Sequence, residues 1–491
     1  MPKMGDAMEE GTLVSWRKQD GESVQAGEVI AEIETDKSNV EVEAEDSGVL
    51  RIQAQPGTVV PVGQAIATIG DAEAKASPPA PNAGGAGEDK AAASPPPPDL
   101  GAGGRPASSG NGASPNPEPQ VGQQGTAVYS PEGAQAKADT NELKHIVQVA
   151  AHTHSHEEAD AGATESIPYR EAIRRALEEE LDRDENVFLL GEEIGQYQGT
   201  FKITQGFLQK YGPERIVDTP ISEAGMVGMT TGAAMLGMRP VIEFMTLNFA
   251  LVAWDQIINH TAKILYMSGG QYPIPCVLRG PGGVGGQLSA QHSQDLAHWY
   301  ANTPGLKVVA PATPADAKGL LKAAIRDNNP VVYTEHARLY ATRGDVPTSK
   351  DYLVPIGVAD IKREGKDVSI ISYSYGTMLS LGAAEKLAEQ GIDAEVVDLR
   401  SLQPIDLETV FNSVRKTHRA VVVQEQWPFY GLAAEFVTQI STATFDELDA
   451  PVERVTGAFV PMPYARALED MAVPHENDII AAVKKTLARS I

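Results

Sequence analysis

Residues 32–42 read Glu32-Ile-Glu-Thr-Asp-Lys-Ser-Asn-Val-Glu-Val42 and place one lysine, Lys37, between two short, acidic, β-prone runs. Gly27 and Gly48 flank this stretch on either side. Because side chains alternate between the two faces of a strand, the pattern predicts a hairpin with Lys37 at its exposed tip. An isolated Asp-Lys turn is most often a solvated turn, so the surrounding sequence has to decide whether this lysine is functional.

Glycines punctuate the short alternating runs of the first 70 residues, and this spacing predicts a small all-β domain over residues 1–70. The domain resembles a lipoyl domain, in which the lysine of a Thr-Asp-Lys turn carries lipoic acid; the resemblance implies lipoylation of Lys37. Biotin carrier domains share the fold but place their lysine between methionines, which Asp36 and Ser38 do not match. With 13 acidic and 5 basic residues, the domain carries a net charge of −8. A negative charge of this size favours docking onto the basic entrance of an active site, and it equally aids solubility.

Alanine, proline, glycine and serine dominate residues 71–165. A segment of this composition cannot bury enough apolar surface to offset its conformational entropy, so we expect a disordered linker. Proline keeps such a chain extended while glycine lets it bend, which makes a semi-stiff tether for a mobile carrier. Four histidines cluster between His145 and His156. A metal site needs a fold that holds its ligands in geometry, and we assign none to this cluster.

From Ser166 onward, helical and strand patterns alternate, which predicts mainly parallel sheets covered by helices on both faces. We expect one α/β domain over residues 166–345 and a second over 353–491, with loop signals between 339 and 352 as the boundary. The first domain begins with an amphipathic helix over 169–184. Strands are predicted at 187–190, 240–244, 277–278, 306–309, 368–372, 394–397 and 420–423.

Composition excludes several classes of function. The chain has 491 residues, too many for one core, and a formal charge of −26, which argues against nucleic-acid binding. Cys276 is the only cysteine, so the sequence predicts no disulfide and no zinc cluster, and the thiol is expected to be buried in a strand. No apolar run is long enough to span a membrane. Since the first domain begins at Met1, we expect no targeting peptide and a cytoplasmic location.

Glu223 is the first candidate for chemistry in the α/β part. It lies in the apolar, glycine-rich run Asp218-Thr-Pro-Ile-Ser-Glu-Ala-Gly-Met-Val-Gly-Met229. A buried carboxylate is costly unless it is paired or protonated, which favours a functional role. The alternative is an ordinary acid at the start of a helix, stabilised by the helix dipole. The run alone does not separate these two interpretations.

A series of motifs identifies the family. In order along the chain they are Thr219-Pro-Ile-Ser-Glu-Ala-Gly225, Glu243-Phe-Met-Thr-Leu-Asn-Phe249, Tyr266-Met-Ser-Gly-Gly270, Arg279-Gly-Pro281, Ala290-Gln-His-Ser-Gln294, Pro304-Gly-Leu-Lys-Val-Val309 and Asp327-Asn-Asn-Pro-Val331. Through these motifs, residues 167–491 resemble the beta subunit of the thiamine-diphosphate-dependent 2-oxo acid dehydrogenase decarboxylating component. The resemblance implies a transketolase-like pyrimidine-binding domain over 166–345 and a transketolase C-terminal domain over 353–491.

The resemblance assigns roles to four residues around the thiamine diphosphate. Glu223 matches the glutamate that hydrogen-bonds the aminopyrimidine ring, where an apolar site that raises the carboxyl pKa favours proton exchange. Phe249 matches the aromatic residue that stacks on the pyrimidine, which needs a flat apolar partner. Ile221 and Met245 match residues that line the same pocket, although each alone is typical of an ordinary core position.

His292 matches the active-site histidine of the family. A histidine with a pKa near neutral is suited to protonate the sulfur that departs when the lipoyl disulfide is reduced and acylated. The family also holds a potassium ion through backbone and side-chain oxygens. The matching positions here are Cys276, Ala324, Ile325, Asp327 and Asn329.

The chain lacks one part of a complete thiamine enzyme. Diphosphate and magnesium are usually held by a Gly-Asp-Gly run followed by an asparagine pair, and no Gly-Asp-Gly is present, although Asn328-Asn329 is. The resemblance therefore implies a separate alpha subunit that supplies the diphosphate half and most of the magnesium site. We expect a heterotetramer of two alpha and two beta subunits, docked on a dihydrolipoamide acyltransferase core.

Three other interpretations remain. A transacylase core component also carries lipoyl domains, but no histidine here begins its His-x-x-x-Asp-Gly motif. A non-catalytic lipoyl carrier or docking protein is disfavoured by Glu223, Phe249 and His292. Among substrates, the motifs favour pyruvate over branched-chain 2-oxo acids. Acetoin stays open because residues 279–286 are richer in glycine than the pyruvate enzyme leads us to expect.

Overall fold

The computed structural model describes residues 10–25, 27–34, 39–44, 46–61, 64–70 and 162–488. The chain divides into two compact units, Met1–Pro131 and Glu132–Ile491, and each is described by itself. Three features predicted from the sequence lie outside the described residues: Lys37, most of the linker and the histidine cluster.

The first unit contains two antiparallel sheets. Its strands are β1 (Glu10–Trp16), β2 (Ser23–Val24), β3 (Val29–Glu34), β4 (Asn39–Glu43), β5 (Gly48–Ile52), β6 (Val59–Pro61) and β7 (Ala67–Gly70). One sheet has the order β4-β3-β1-β6 and the other β2-β5-β7. Leu13, Ile33 and Leu50 come from both sheets and are fully buried in one shared core. The predicted all-β fold is confirmed.

Strands β3 and β4 form the hairpin predicted around Lys37. They pair in antiparallel fashion, with Ile33 opposite Val40 and Glu34 opposite Asn39. Ile33 packs into the core, while its neighbour Glu32 is only partly buried and forms an ion pair with Arg17 at 2.8 Å. This alternation fixes the register, because a shift by one residue would bury the acidic side chains instead.

The second unit begins with a seven-stranded sheet of order β10-β9-β11-β12-β14-β13-β19, parallel except for β19. The strands up to residue 347 are β8 (Thr164–Pro168), β9 (Val187–Gly191), β10 (Ile216–Asp218), β11 (Arg239–Glu243), β12 (Val277–Gly282), β13 (Lys307–Val309), β14 (Val331–His336) and β15 (Arg343–Pro347). The helices are α1 (Tyr169–Arg183), α2 (Phe207–Tyr211), α3 (Glu223–Met235), α4 (Ile264–Met267), α5 (Ala297–Ala301) and α6 (Pro314–Arg326), with short 3-10 turns at Phe249–Ala253 and Ala337–Leu339 and a π-helical turn at Gln256–Thr261. The predicted first helix and the strands that follow it are confirmed.

A second sheet has the order β16-β18-β17-β20-β21, and only β16 is antiparallel to its neighbour. Its part of the chain contains β16 (Asp360–Arg363), β17 (Val368–Ser372), β18 (Ala394–Asp398), β19 (Ser401–Gln403), β20 (Ala420–Val423) and β21 (Glu453–Val455). The helices are α7 (Ser374–Ala388), α8 (Leu407–Thr417), α9 (Leu432–Ala443), α10 (Arg466–Ala472) and α11 (Glu476–Leu487), with a 3-10 turn at Phe445–Glu447. All residues of β17, β18 and β20 are buried, which explains their uninterrupted apolar sequences.

The region between the two sheets differs from the sequence prediction. Residues 339–352, predicted as a loop, contain β15, which pairs antiparallel with β8. Glycine and proline in β15 are typical of loops but are tolerated in short edge strands, so the pattern was misleading. Strand β19 crosses back and pairs with β13, with Val308 opposite Gln403. The two α/β blocks thus share a sheet, and the predicted residue limits of the domains stay predictions.

Two predictions about single features can be checked directly. Cys276 is buried as predicted, although it lies just before β12 rather than in it, and burial raises the pKa of its thiol. Among the helices of the described ranges, none has the length and apolar character needed to cross a bilayer.

Candidate active site

Glu223 is the first residue of α3, at the carboxyl edge of the first sheet. Open parallel sheets bind ligands at this edge. Its side chain is 7% exposed, and the described part of the chain offers its carboxylate no hydrogen-bond or ion-pair partner. The positive end of the helix dipole favours the charge. The predicted helix start is confirmed, and the carboxylate is free to bind a group that the chain does not itself supply.

A second carboxylate, Glu192, lies beside Glu223. It follows β9 directly, is 7% exposed, and its Oε1 has no hydrogen-bond partner among the described residues. Burial raises the pKa of Glu192 above its ordinary value, and the negative charges of Glu223 and Glu193 add to the shift. Glu192 therefore binds its proton more tightly than an exposed glutamate does. The sequence analysis missed it, although an acid directly after an apolar strand was a usable signal.

Phe249 and His292 are brought together from separate loops. Phe249 begins the 3-10 turn that packs against α3. Its ring meets the imidazole of His292 edge to face, with the centroids 5.0 Å apart and an interplanar angle of 82°. Both side chains are half-buried, which leaves part of each ring accessible. The structure thus joins two residues that the sequence analysis had assigned to one site on resemblance alone.

Buried polar side chains connect these two loops. The side-chain Oδ1 of Asn248 accepts hydrogen bonds from the backbone N–H and the side-chain amide of Gln294, at 3.2 and 3.1 Å. Thr246 donates from its hydroxyl to the carbonyl of Pro281 at 3.0 Å and accepts from the Asn248 amide at 2.7 Å. Because Asn248 precedes Phe249 and Gln294 follows His292 closely, these bonds set the spacing of the two rings.

A buried ion-pair group supports the strand ends below the site. Arg279 is 1% exposed and donates two hydrogen bonds to Glu335, at 2.7 and 2.9 Å, and one to Glu243. Tyr340 donates to Glu335 at 2.8 Å. Glu243, Arg279 and Glu335 lie on the adjacent strands β11, β12 and β14. A bidentate arginine between two carboxylates therefore holds three neighbouring strands in register.

The two remaining pocket candidates differ from each other. Met245 is half-buried between β11 and Phe249, close to the site in sequence and in the fold. Ile221 is 82% exposed, so this chain alone does not enclose it. Met229 and Val252, which are also apolar, are 48% and 68% exposed. Apolar side chains on and next to α3 are therefore left exposed to solvent.

The five potassium candidates have less support. The carbonyls of Ile325 and Asp327 both accept hydrogen bonds from Arg239 at 3.0 Å, and the Asp327 carboxylate pairs with Lys307 at 2.5 Å. Asn329 donates to Asp327, and Cys276 accepts from a backbone N–H of β14. Ala324 lies on the same last turn of α6. Two cationic side chains thus already contact the oxygens of Ile325 and Asp327, which is unfavourable for binding a further cation there.

Three parts of the chain match described families. Residues 1–69 match "Biotin-requiring enzyme", residues 165–342 match "Transketolase, pyrimidine binding domain" and residues 357–479 match "Transketolase, C-terminal domain". The first of these covers both biotin and lipoyl carriers. The sheet edge that holds Glu223, Phe249 and His292 lies within the pyrimidine binding match.

Curated relatives agree over the same regions. "Pyruvate dehydrogenase E1 component subunit beta" of Rhizobium meliloti is 44% identical over 486 residues, which cover 99% of this chain and 98% of that protein. The mitochondrial beta subunits of Homo sapiens and Arabidopsis thaliana are 50% and 52% identical, and each alignment covers 67% of this chain and 92% of the relative.

A solved structure supports the fold of the second unit. "Split gene transketolase, inactive beta4 tetramer" is 25% identical, with a TM-score of 0.53, and the match covers 66% of this chain and 99% of that one. The alignment with the Rhizobium meliloti relative spans both units of the present chain. The chain therefore belongs to the family of pyruvate dehydrogenase E1 component beta subunits.

Proposed function

We propose that this chain is the beta subunit of a pyruvate dehydrogenase. Together with an alpha subunit, it catalyses the oxidative decarboxylation of pyruvate and the reductive acetylation of lipoyl groups. The observation that carries the proposal is a buried Glu223 without a partner among the described residues, together with the contacting rings of Phe249 and His292, all after the carboxyl ends of parallel strands of one sheet. This is the sheet edge where α/β proteins bind ligands.

The residues fit thiamine diphosphate. When bound, this cofactor would supply the nucleophilic carbon that attacks the 2-oxo group and the electron sink for loss of carbon dioxide. Glu223 would hold the aminopyrimidine ring by a proton shared with its carboxylate, and Phe249 would offer the ring an aromatic face. Burial and the charge of Glu223 raise the pKa of Glu192, so this second carboxyl would take part in the hydrogen bonding around that carboxylate.

His292 acts on the lipoyl group. Half-buried beside Phe249, it would donate a proton to the sulfur that departs when the lipoyl disulfide opens. One sulfur takes the acetyl group, and the other leaves as a thiol that carries this proton. The ring contact with Phe249 orients the imidazole toward the place where that aromatic side chain meets the cofactor.

The alpha subunit supplies what this chain lacks. No Gly-Asp-Gly run is present for diphosphate and magnesium, and Ile221, near Glu223, is 82% exposed. We infer a heterotetramer of two alpha and two beta subunits, with sites between the chains, docked on an acyltransferase core. Magnesium belongs mainly to the alpha subunit. Potassium binding by Cys276, Ala324, Ile325, Asp327 and Asn329 stays a prediction, with the cations Arg239 and Lys307 against it.

The experiment that tests this proposal measures decarboxylation by the chain co-expressed with its cognate alpha subunit. Thiamine diphosphate, magnesium and an artificial electron acceptor are present, and pyruvate, 3-methyl-2-oxobutanoate and acetoin are compared. We expect pyruvate to give the highest kcat/KM. A preference for either other compound would assign the chain to a sister enzyme with the same cofactor and site. An assembled complex inactive on all three would favour a lipoyl carrier or docking protein.

A further inference from the structure

The loop that leads into His292 is anchored by two glutamates of the second sheet block. Residues 282–289 read Gly282-Gly-Val-Gly-Gly-Gln-Leu-Ser289. Glu425, just after β20, accepts a hydrogen bond from the backbone N–H of Val284 at 2.6 Å. Glu469, on α10, accepts from the backbone N–H of Gln287 through both carboxylate oxygens, at 2.9 and 3.0 Å. These contacts join residues 141 and 182 positions apart.

Each carboxylate contacts a basic side chain of the first block; Glu469 is buried, and the Glu425 side chain is 11% exposed. His336 lies 2.9 Å from Glu425, and Arg338 lies 3.9 Å from Glu469, which is 2% exposed. Burial raises the pKa of Glu425, but His336 and the Val284 N–H outweigh it and hold the pKa below its ordinary value. Hydrogen bonds from a backbone N–H to a charged carboxylate are about twice as strong as neutral ones.

The loop needs such anchors because its conformation is costly. Gln287 and Ser289 adopt positive φ angles of 54° and 67° without being glycine. Non-glycine residues in this region are strained, and they persist only when the surroundings impose the conformation. A Cβ at Gly283 would lie 2.5 Å from the His336 ring and 2.7 Å from Glu425, so the loop also approaches the block too closely for a side chain.

The strained residues end three positions before His292, whose backbone N–H donates to the Ser289 carbonyl at 3.3 Å. The conformation of the loop is thereby transmitted to the imidazole. We propose that Glu425 and Glu469 are positioning residues for His292, and that they act on the reductive acetylation of the lipoyl group more than on decarboxylation. This inference rests on the role proposed above for His292.

The test uses the assembled heterotetramer and measures two rates, reductive acetylation of free lipoamide and decarboxylation with an artificial acceptor. Glu469→Ala and Glu425→Ala each remove one anchor, and we expect the ratio of the first rate to the second to fall about tenfold, since misplacement by an ångström costs one to two orders of magnitude. Glu469→Gln keeps an acceptor oxygen and should recover part of the loss. Glu395→Ala is the matched control, because Glu395 is 1% exposed, accepts from the Gly365 N–H and pairs with Lys416, away from the loop.

A double-mutant cycle separates positioning from general destabilisation. If Glu469 acts through His292, adding Glu469→Ala to His292→Gln lowers acetylation by less than about twofold more. Multiplied losses, or equal losses of both rates, would overturn the inference. Glu425→Ala repeats the cycle should Glu469→Ala fail to assemble. Inactivity of the wild-type complex, or an unaffected His292→Gln, would instead refute the proposed function itself.

Discussion

At the scale of single residues, Glu223 combines burial with the absence of a protein partner in the described structure. Glu223→Gln keeps the shape of the side chain but cannot exchange a proton, so we expect decarboxylation to fall about 100-fold or more, the range of acid–base catalysis. Assembly with the alpha subunit should be unchanged. The measurement is turnover with an artificial acceptor, and Glu214→Gln, on the surface, is the control. Turnover at the wild-type rate would exclude the role in cofactor activation.

The same residues explain what the sequence can predict. Glu223 was identifiable because its motif is local and its helix starts where the pattern indicated. The contact between Phe249 and His292 was inferred only through resemblance, since 43 residues separate them and no periodicity records it. Glu425 and Glu469 act on backbone N–H groups of a distant loop. Every residue except proline has a backbone N–H, so the sequence does not indicate which one a distant carboxylate will bind.

At the scale of elements, Arg279 joins β11, β12 and β14 through Glu243 and Glu335. Arg279→Ala would leave two carboxylates buried without a cation, a change that typically costs 3–5 kcal/mol in the free energy of unfolding. Arg175, on the surface of α1, pairs with Glu165 and Glu171 and is the control. Arg175→Ala should cost less than about 1 kcal/mol. Urea unfolding of the full-length chain measures both; equal losses would contradict the proposed support of the strand ends.

A second buried cluster joins the two sheet blocks and makes stability depend on pH. Lys362 and Arg400, both in the second block, pair with Asp316 of α6 and with Asp360, and Lys362 lies 3.9 Å from Asp398. If all five groups were ionised, three carboxylates would face two cations and leave one excess negative charge. Burial raises the pKa of Asp398 to about 7; Asp316 adds to the shift, while Lys362 and Arg400 oppose it.

The sign of the pH effect follows from this raised pKa. Folded Asp398 keeps a proton that the unfolded chain releases near the ordinary pKa of 3.8, so its stabilising contribution is full below that pH and is lost as pH rises through about 7. Asp398→Asn removes the titrating carboxyl, so the stability of the variant does not depend on this proton. We therefore expect the stability of this variant, relative to wild type, to increase as the pH rises from 5 to about 8. Thermal unfolding of the full-length chain at both pH values measures the difference, and a constant difference would contradict the assignment.

At the scale of the whole molecule, the first unit adds a candidate carrier to a chain that also contains the candidate site of Glu223, Phe249 and His292. The hairpin β3–β4 is in place, and Lys37 lies in its four-residue connection, so the site of modification is predicted from sequence and from the flanking strands. A carrier joined to the chain by the predicted linker would reach the site at a high effective concentration.

We expect wild-type chain, incubated with the alpha subunit, cofactor and pyruvate, to show the masses of a lipoyl and an acetyl group on Lys37. Lys37→Arg should show neither, while Lys18→Arg, on the same unit but outside the hairpin, should show both. A lipoyl group that is never acetylated would make the first unit a docking module rather than a carrier.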